Sequence, residues 1–207
     1  GQASNTNGSS YYPYITYCKN SGTVTCSSNY AGGIVGYSYY NVRVENNQNS
    51  GAVSGQTYVG GIIGMHNDAG TGTYSYIQYN QNKGKVTATS SYTGGIAGRT
   101  YYAYLRYNDN FGDVTSSSNY VGGIIGYAQQ YVYPQYNTNA GDVKGTTYVG
   151  GIVGYGSSYI YTDYCVNSGD VTATNGGTDY VGGIVGYQSS ESYIRYCMNA
   201  GQVEGFN

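Results

Sequence analysis

The chain has 207 residues, 35 of them glycine and 31 tyrosine, and its eight basic and ten acidic residues leave a formal net charge of −2. A chain this poor in charge and this rich in aromatic residues is unlike a disordered one, and its scattered basic residues form no patch for a nucleic acid. No apolar run approaches the ~20 residues that a membrane-spanning helix needs.

The residue types predict an all-β protein. Leucine occurs once, at Leu105, while glycine, asparagine, serine, threonine, tyrosine and valine dominate, and these are residues of strands and turns. Few lysines among many hydroxyl and amide side chains favour an extracellular or cell-surface location. No signal peptide is visible at Gly1, so an exported chain would be a processed form.

Two phrases recur after residues 1–13, which we expect to be an N-terminal extension or an additional strand. The first is Y-x-x-Y, as in "YITYCKN" and "YIRYCMN". The second, N-x-G-x-V, occurs seven times and follows Y-x-x-Y in six of them, with its asparagines at Asn20, Asn49, Asn82, Asn110, Asn139, Asn167 and Asn199.

A third phrase, of the form Y-V-G-G-I-V-G, completes the repeat. Its glycine pairs fall at 32–33, 60–61, 94–95, 122–123, 150–151 and 182–183, a period typical of solenoids. Each piece is too short to be a stable strand alone, but stacked copies pair with the coils above and below. We therefore predict one domain, 1–207, that forms a parallel β-helix of about seven coils with three short strands per coil, right-handed by the usual crossover rule.

The longer repeats are explained by insertions at turns, "NDAGTGT" at 67–73 and "TNGGT" at 174–178. Residues 201–207 belong to an incomplete last coil, because the chain reaches its last N-x-G-x-V phrase and lacks the glycine-pair strand after it.

The glycine-pair phrase with its upstream N-x-G-x-V resembles the GLUG motif repeat, which occurs in bacterial surface proteins such as IgA-specific metalloendopeptidases and adhesin-like proteins. The resemblance covers essentially the whole chain. It implies a β-solenoid on a secreted or surface-anchored protein. It brings no catalytic residue with it, because the zinc signature H-E-x-x-H is absent and His66 is the only histidine.

The repeated glycines have a steric interpretation. A phosphate-binding loop would need a helix after the phrase, and none of the six copies is followed by a helical pattern. Glycine instead lets facing sheets or neighbouring chains approach closely. Because side chains alternate along a strand, we expect only one of the two sets represented by Ile62 and Ile63 to fill the interior. The other set would form an external apolar stripe, covered by a turn insertion, by residues 1–13 or by another copy of the protein.

Two kinds of side-chain ladder are expected along the stack. The seven asparagines should bond from coil to coil, with metal or glycan binding as the alternative role. Tyrosines before the glycine pairs and in the Y-x-x-Y phrases should stack in three ladders. Rings that face outward could bind sugars or neighbouring filaments.

The four cysteines allow three pairings, and the sequence does not choose among them. Cys165, Cys197 and Cys18 follow the second tyrosine of Y-x-x-Y in their coils, a place that asparagine holds in coils two to five. Cys165 and Cys197 form an interior thiol stack or a disulfide, and Cys26 could close a small loop with Cys18.

Two sets of residues carry potential chemistry. Asp113, Asp142 and Asp170 share one position in consecutive coils, and such a row is a solvated surface ladder, a calcium site or a set of catalytic acids. His66 lies beside Asp68, which could pair with it as acid and base, but there is no nucleophile at motif spacing. We therefore expect His66 to belong to a loop.

These observations favour a protein without enzymatic activity and without a cofactor, calcium being the one candidate ion. The leading hypothesis is a structural extracellular subunit that stacks end to end into a filament, with lateral apolar contacts between filaments. The alternative is a stalk or glycan-binding module of a bacterial adhesin. A polysaccharide-active enzyme that uses the aspartate row comes third.

Overall fold

The computed structural model describes residues 2–4, 13–68, 74–174 and 179–206. The insertions predicted at 67–73 and 174–178 therefore lie mostly outside the described residues. Within the described ranges all regular structure is β-strand, and none of it is a helix long and apolar enough to cross a membrane.

The strands are short, and the chain order is β1 (Gln2–Ser4), β2 (Tyr14–Thr16), β3 (Lys19–Asn20), β4 (Val24–Thr25), β5 (Asn29–Gly32), β6 (Val35–Tyr39), β7 (Arg43–Glu45), β8 (Gln48–Asn49), β9 (Val53–Gly55), β10 (Thr57–Gly60), β11 (Ile63–Asn67), β12 (Ser75–Gln78), β13 (Gln81–Asn82), β14 (Val86–Ala88), β15 (Thr93–Gly94), β16 (Ala97–Thr100), β17 (Ala103–Arg106), β18 (Asp109–Asn110), β19 (Val114–Ser116), β20 (Val121–Gly122), β21 (Ile125–Ala128), β22 (Val132–Gln135), β23 (Thr138–Asn139), β24 (Val143–Gly145), β25 (Tyr148–Gly150), β26 (Val153–Gly156), β27 (Tyr161–Asp163), β28 (Val166–Asn167), β29 (Val171–Ala173), β30 (Tyr180–Gly182), β31 (Val185–Gln188), β32 (Tyr193–Arg195), β33 (Met198–Asn199) and β34 (Val203–Glu204).

These strands form five parallel sheets that run along the axis of a solenoid. Sheet I is β2-β7-β12-β17-β22-β27-β32, and sheet II is β3-β8-β13-β18-β23-β28-β33. Sheet III is β4-β9-β14-β19-β24-β29-β34, and sheet IV is β5-β10-β15-β20-β25-β30. Sheet V is β1-β6-β11-β16-β21-β26-β31. The chain thus makes six complete coils and three strands of a seventh, which confirms the predicted all-β parallel solenoid.

Each complete coil contains five strands, whereas the phrases predicted three. The asparagine of N-x-G-x-V belongs to a separate two-residue strand of sheet II, beyond a sharp corner. The glycine pair divides the third phrase as well, since β10 ends at Gly60 and β11 begins at Ile63. A phrase that looks like one strand in the sequence therefore supplies two strands that lie in different sheets.

The glycine pair lies against the asparagines of sheet II. A Cβ added to Gly61 would overlap the carbonyl oxygen of Gly95 and the amide of Asn82, which lies in the next coil. The second glycine of every other pair has the same relation to an asparagine one coil ahead, the pairs being Gly33–Asn49, Gly95–Asn110, Gly123–Asn139, Gly151–Asn167 and Gly183–Asn199. The glycines are thus needed for close approach between facing parts of one coil stack.

This contact divides the interior into two apolar cores. One core lies between sheets I and V and includes Ile62, Ile63 and Ile77. The other lies between sheets III and IV and includes Val59 and Val86. All five side chains are fully buried.

The predicted external apolar stripe is therefore wrong. Ile62 lies at the corner between sheets IV and V, and Ile63 begins the next strand, so both side chains point into the same core. The change of chain direction at the glycine pair cancels the alternation that a continuous strand would impose. Lateral association through this stripe loses its basis.

Tyrosines in the left-handed backbone region, which is uncommon for residues other than glycine, recur at the corners after sheet V and after sheet I. After sheet I, for example, Tyr79, Tyr107 and Tyr136 have φ of 57°, 54° and 56°. A strained corner of this kind costs about 1–3 kcal/mol, so the stacking of these rings between coils has to offset that cost.

The close contact at the glycine pair predicts that Gly123→Ala destabilises the fold by about 3 kcal/mol or more, because the new methyl group meets the backbone of Gly151 and the amide of Asn139. Gly156→Ala is the matched control, since Ala128 already occupies the paired position in the preceding coil. We expect the control to change stability by about 1 kcal/mol or less. Urea unfolding followed by far-ultraviolet circular dichroism measures both, and equal losses would contradict the steric explanation.

Candidate functional site: the ladders and the two end faces

Seven asparagines in sheet II form a continuous hydrogen-bonded ladder. In each step the Nδ2 of one asparagine donates to the Oδ1 of the next at 2.7–2.8 Å, along Asn20, Asn49, Asn82, Asn110, Asn139, Asn167 and Asn199. The second Nδ2 proton is donated to the carbonyl oxygen of the glycine two residues later. An asparagine amide has two donor protons, and this ladder uses both.

The asparagine ladder has a direction, because every donor points toward the C-terminal coils. At the C-terminal end, the side chain of Asn199 donates to Gly201 and to no further asparagine among the described residues. At the N-terminal end, the Oδ1 of Asn20 accepts from the backbone of Gly22 at 3.3 Å and from no preceding asparagine among the described residues. One end thus offers a free donor and the other an available acceptor.

A second ladder, not expected from the sequence, lies at the corner between sheets I and II. Asn47, Asn80, Asn108 and Asn137 are fully buried. The Nδ2 of each of the first three donates to the next Oδ1 at 3.0 Å, and backbone N–H groups donate to the same oxygens at 3.0–3.1 Å. The recurrence of asparagine after Y-x-x-Y was the available signal.

Three cysteines occupy the ends of this second ladder. The backbone N–H of Cys18 donates to Asn47 Oδ1 at 2.9 Å, and that of Cys165 lies 3.4 Å from Cys197 Sγ. All are free thiols, with Cys165 buried, Cys197 half-buried and Cys18 exposed. The hydrogen bond between the Cys165 and Cys197 thiols lowers the pKa of Cys197 to about 7. The same bond, together with burial, raises the pKa of Cys165.

The fourth cysteine, Cys26, is not part of this ladder. It packs against the core between sheets III and IV with Val24 and Val181, and its thiol donates to the carbonyl oxygen of Asn29 at 3.2 Å. Cys18 instead donates to the carbonyl oxygen of Thr16. The loop between Cys18 and Cys26 considered from the sequence is therefore not closed in this structure.

The aspartate row caps backbone groups. Oδ1 of Asp113 accepts from the backbone of Asp142 at 3.2 Å, Oδ1 of Asp142 accepts from Asp170 at 3.0 Å, and Oδ1 of Asp170 accepts from Gln202 at 2.8 Å. Each carboxylate is thus turned toward the next coil, and the described residues contain no group of three His, Cys, Asp or Glu side chains placed to hold a metal ion. The three carboxylates therefore have a structural role as caps of backbone N–H groups in the following coil.

His66 lies within β11 and is fully buried, whereas a loop position was expected. Its Nδ1 is 2.8 Å from the Oγ of Ser38, which holds the equivalent place in the preceding coil. Burial lowers the pKa of His66 to about 3. The ring is therefore a neutral part of the interior and is not accessible to a substrate.

Tyrosine rings form the surface of the solenoid. One ladder, the corner ladder, lies at the corner between sheets I and II. Its rings stack face to face with centroids 4.8–5.0 Å apart, along Tyr79, Tyr107, Tyr136, Tyr164 and Tyr196. The six tyrosines before the glycine pairs stack with centroids 4.9–5.2 Å apart. These spacings follow the distance between neighbouring strands.

The corner ladder is interrupted once. Asn46 stands where the other coils have tyrosine, with the same left-handed φ of 58°. The rings of Tyr17 and Tyr79 are consequently two coils apart, roughly 10 Å. The space between them belongs to a groove of about 470 Å³, whose other side is lined by Lys19, Gln48, Gln81 and Asp109.

The two end faces of the described solenoid have complementary steps. Sheet V begins with β1, one coil before β2, β3 and β4, and it ends with β31, one coil before β32, β33 and β34. The N-terminal face thus has a projecting strand in sheet V, and the C-terminal face has a recess of the same depth in the same sheet.

The same types of side chain lie on both faces, where Ile15, Asn20 and Val24 are half-buried and Ile194, Asn199 and Val203 are exposed. The pairing registers align Ile15, Tyr17, Cys18, Asn20 and Val24 of the first coil with Ile194, Tyr196, Cys197, Asn199 and Val203 of the last. Ile194 is 46% exposed and Val203 43%, although Ile77 and Val86 at the equivalent interior positions are fully buried. Each face therefore presents apolar and amide groups that the interior coils cover with a further coil.

Comparison with protein-family models, with curated proteins and with solved structures gave no match to this chain.

The buried histidine predicts a pH dependence of stability. Because folding lowers the pKa of His66, the unfolded chain takes up the proton first as the pH falls below about 6.5. We expect its contribution to stability to decline by about 1.4 kcal/mol per pH unit from there down to about pH 3.

The test compares urea unfolding of the native chain and of His66→Thr between pH 7 and pH 4.5. Threonine is the appropriate replacement because Thr100 fills the next interior place in sheet V. The difference between the two proteins cancels the carboxylates common to both. A constant difference across this range would contradict a buried, neutral His66.

Proposed function

We propose that the protein is a structural extracellular subunit, without catalytic activity, that forms filaments by head-to-tail stacking of its coils. The observation that carries the proposal is the complementary step between the two end faces. In such a stack, β1 of one copy extends sheet V beyond β31 of the preceding copy. The strands β2, β3 and β4 extend sheets I, II and III beyond β32, β33 and β34. Four of the five sheets are then continuous.

The side chains at such a junction match. Ile194 meets Ile15, Tyr196 meets Tyr17, and the free donor of Asn199 faces the available acceptor of Asn20. No two like charges meet at this junction. Each charged residue lies opposite an uncharged one, the pairs being Arg195–Thr16, Met198–Lys19 and Glu204–Thr25.

The geometry of the contact leads to a filament. The two faces are different surfaces, so one copy's C-terminal face binds the next copy's N-terminal face and the same pair of faces remains open after every addition. Contacts of this heterologous kind generate open chains unless a rotation closes them. The edge strands β32, β33 and β34 gain partners for their backbone groups in the process.

The extracellular setting rests on sequence features. The chain is poor in lysine and rich in tyrosine, serine, threonine and asparagine. Its repeated phrases resemble the GLUG repeat of bacterial surface proteins. A tyrosine-covered, low-charge rod is suited to a surface fibre.

Electron microscopy of the purified chain over a range of concentrations tests the filament. We expect long fibres with an axial repeat of roughly 34 Å, seven strand spacings, because sheet V and sheets I to III each have seven strands per copy. Uniform short rods at every concentration would contradict the proposal.

A substitution on one face makes this test specific. Ile194→Lys places a charge where the next copy would bury it, so we expect fibres to be lost while circular dichroism of the monomer stays unchanged. The control is Thr172→Lys on the side of the rod, where the paired residue of the preceding coil is already Lys144. Fibres that persist in Ile194→Lys would exclude this face as the contact.

A second candidate function, a glycan-binding module of a surface adhesin, is favoured by the interrupted corner ladder. The groove between Tyr17 and Tyr79, which are two coils apart, leaves room for one flat ring, and aromatic faces accept the apolar face of a pyranose. The side chains of Lys19, Asn46 and Gln48 have no hydrogen-bond partner among the described residues and could bond sugar hydroxyl groups.

The variant Asn46→Tyr tests this candidate, because it completes the ladder and fills the slot. Binding of neutral oligosaccharides is screened on a glycan array and measured by titration calorimetry. We expect the variant to lose binding while its stability changes by about 1 kcal/mol or less, because stacking on Tyr17 and Tyr79 offsets the cost of tyrosine at this left-handed corner. Tyr196→Ala, at the far end of the same ladder, should keep binding. The candidate fails where no oligosaccharide binds the native chain, or where Asn46→Tyr binds as well as it does.

A further inference from the structure

We infer that the head-to-tail junction is a covalent one, closed by a disulfide bond between Cys197 of one copy and Cys18 of the next. The inference rests on the proposed stacking and goes beyond it, because it assigns a modification site to two thiols that each lie on a different end face. Such a bond would link every subunit of a filament into one chain.

The geometry comes from the second asparagine ladder. Its positions repeat from coil to coil in register with sheet II, and Cys18 and Cys197 hold the same place in the first and the last coil. Stacking therefore sets their Cα atoms one strand spacing apart, about 4.8 Å. Disulfides accept Cα separations of roughly 4.4–6.8 Å, so the bond needs no large movement of the backbone.

The two thiols at the junction, Cys18 and Cys197, are more accessible and more reactive than Cys165 in the coil before Cys197. Cys18 is exposed and Cys197 half-buried, so both can be reached by an oxidant before two copies meet. The pKa of Cys197 is lowered to about 7 by its hydrogen bond with Cys165, and thiolate is the reactive form. Cys165 is buried with a raised pKa, so it supports the thiolate of Cys197 and is itself a poor nucleophile.

The reaction requires a low-molecular-weight disulfide such as oxidised glutathione as the oxidant. The Cys197 thiolate attacks one of its sulfurs, the glutathione disulfide bond breaks, and one glutathione thiolate leaves. The Cys18 thiolate of the next copy then attacks the Cys197 sulfur of the mixed disulfide and releases the second glutathione. Two protein thiols lose two electrons, and the products are one protein disulfide and two molecules of reduced glutathione, which take up the two protons.

The test uses the full chain at a concentration that forms fibres, with oxidised glutathione and then an alkylating quench. We expect a ladder of multimers on non-reducing gels that collapses to monomer with reductant. Trypsin places the four cysteines on four peptides, 1–19, 20–43, 145–195 and 196–207. Mass spectrometry should therefore find 1–19 linked to 196–207.

Variants separate this bond from other pairings. Cys18→Ser and Cys197→Ser should each lose the covalent multimers and still form fibres visible by microscopy. An equal mixture of the two variants should give covalent dimers and nothing larger, since only one junction can then close. Cys26→Ser should behave as the native chain. Cys165→Asn, which restores the ladder residue of the preceding coils, should give the same linked peptides more slowly at neutral pH, because Cys197 loses the thiol hydrogen bond that lowers its pKa.

The outcomes distinguish the two proposals. Fibres without the 1–19 to 196–207 link, or with only a 145–195 to 196–207 link, overturn the disulfide and leave the filament standing. The expected link in a sample without fibres supports the disulfide and overturns the filament. A sample with neither fibres nor linked peptides overturns both.

Discussion

The contact between the second glycine of each pair and the asparagine amide of the next coil is the constraint on which the fold depends. Gly61 packs directly on Asn82, where any side chain would overlap. The buried amide of Asn82 is fully hydrogen-bonded in this narrow place. One of its protons is donated along the ladder and the other to the carbonyl oxygen of Gly84. A larger residue at either position, or a side chain with fewer donors, would leave overlap or an unsatisfied buried group. The glycine position therefore requires asparagine opposite it, and the asparagine position requires glycine, in every coil.

The direction of this ladder has consequences for assembly. Amide donors point from each coil to the following one, and parallel strands all run the same way, so the two ends of the solenoid cannot be alike. An isologous contact between two identical faces would set donor against donor, as at Asn199, and would run the strands of one copy against those of the other. A contact between unlike faces continues both the amide ladder and the parallel pairing. The interaction that orders the interior thus also favours head-to-tail over head-to-head association.

The sequence predicted the parts of the structure that repeat in register and missed the parts that depend on a change of chain direction. Recurring Asn20-type positions indicated parallel coils and a ladder, because identical residues can stack only in that arrangement. The corner at the glycine pair was not predictable from alternation, so Ile62 and Ile63 were assigned to opposite faces although both are buried. His66 was assigned to a loop because it was counted with the insertion and has no nucleophile at motif spacing, yet β11 continues one residue beyond it. The alternation of inward and outward side chains holds within a strand and fails where the chain turns. No proline at the glycine pair signals this turn in the sequence.

The surface tyrosines show a conflict between backbone and side chain that bears on function. At the left-handed corners asparagine is better suited than tyrosine, and Asn46 is the only corner after sheet I in the described coils where it occurs. Elsewhere the backbone tolerates tyrosine, and ring stacking at about 5 Å is the compensation that the structure provides. Stability of a single coil would therefore favour asparagine, while a long uninterrupted stack favours tyrosine. A ladder whose benefit grows with the number of consecutive rings gains most when Tyr196 of one copy is followed by Tyr17 of the next, so the corner residues favour the same end-on assembly as the amides beneath them.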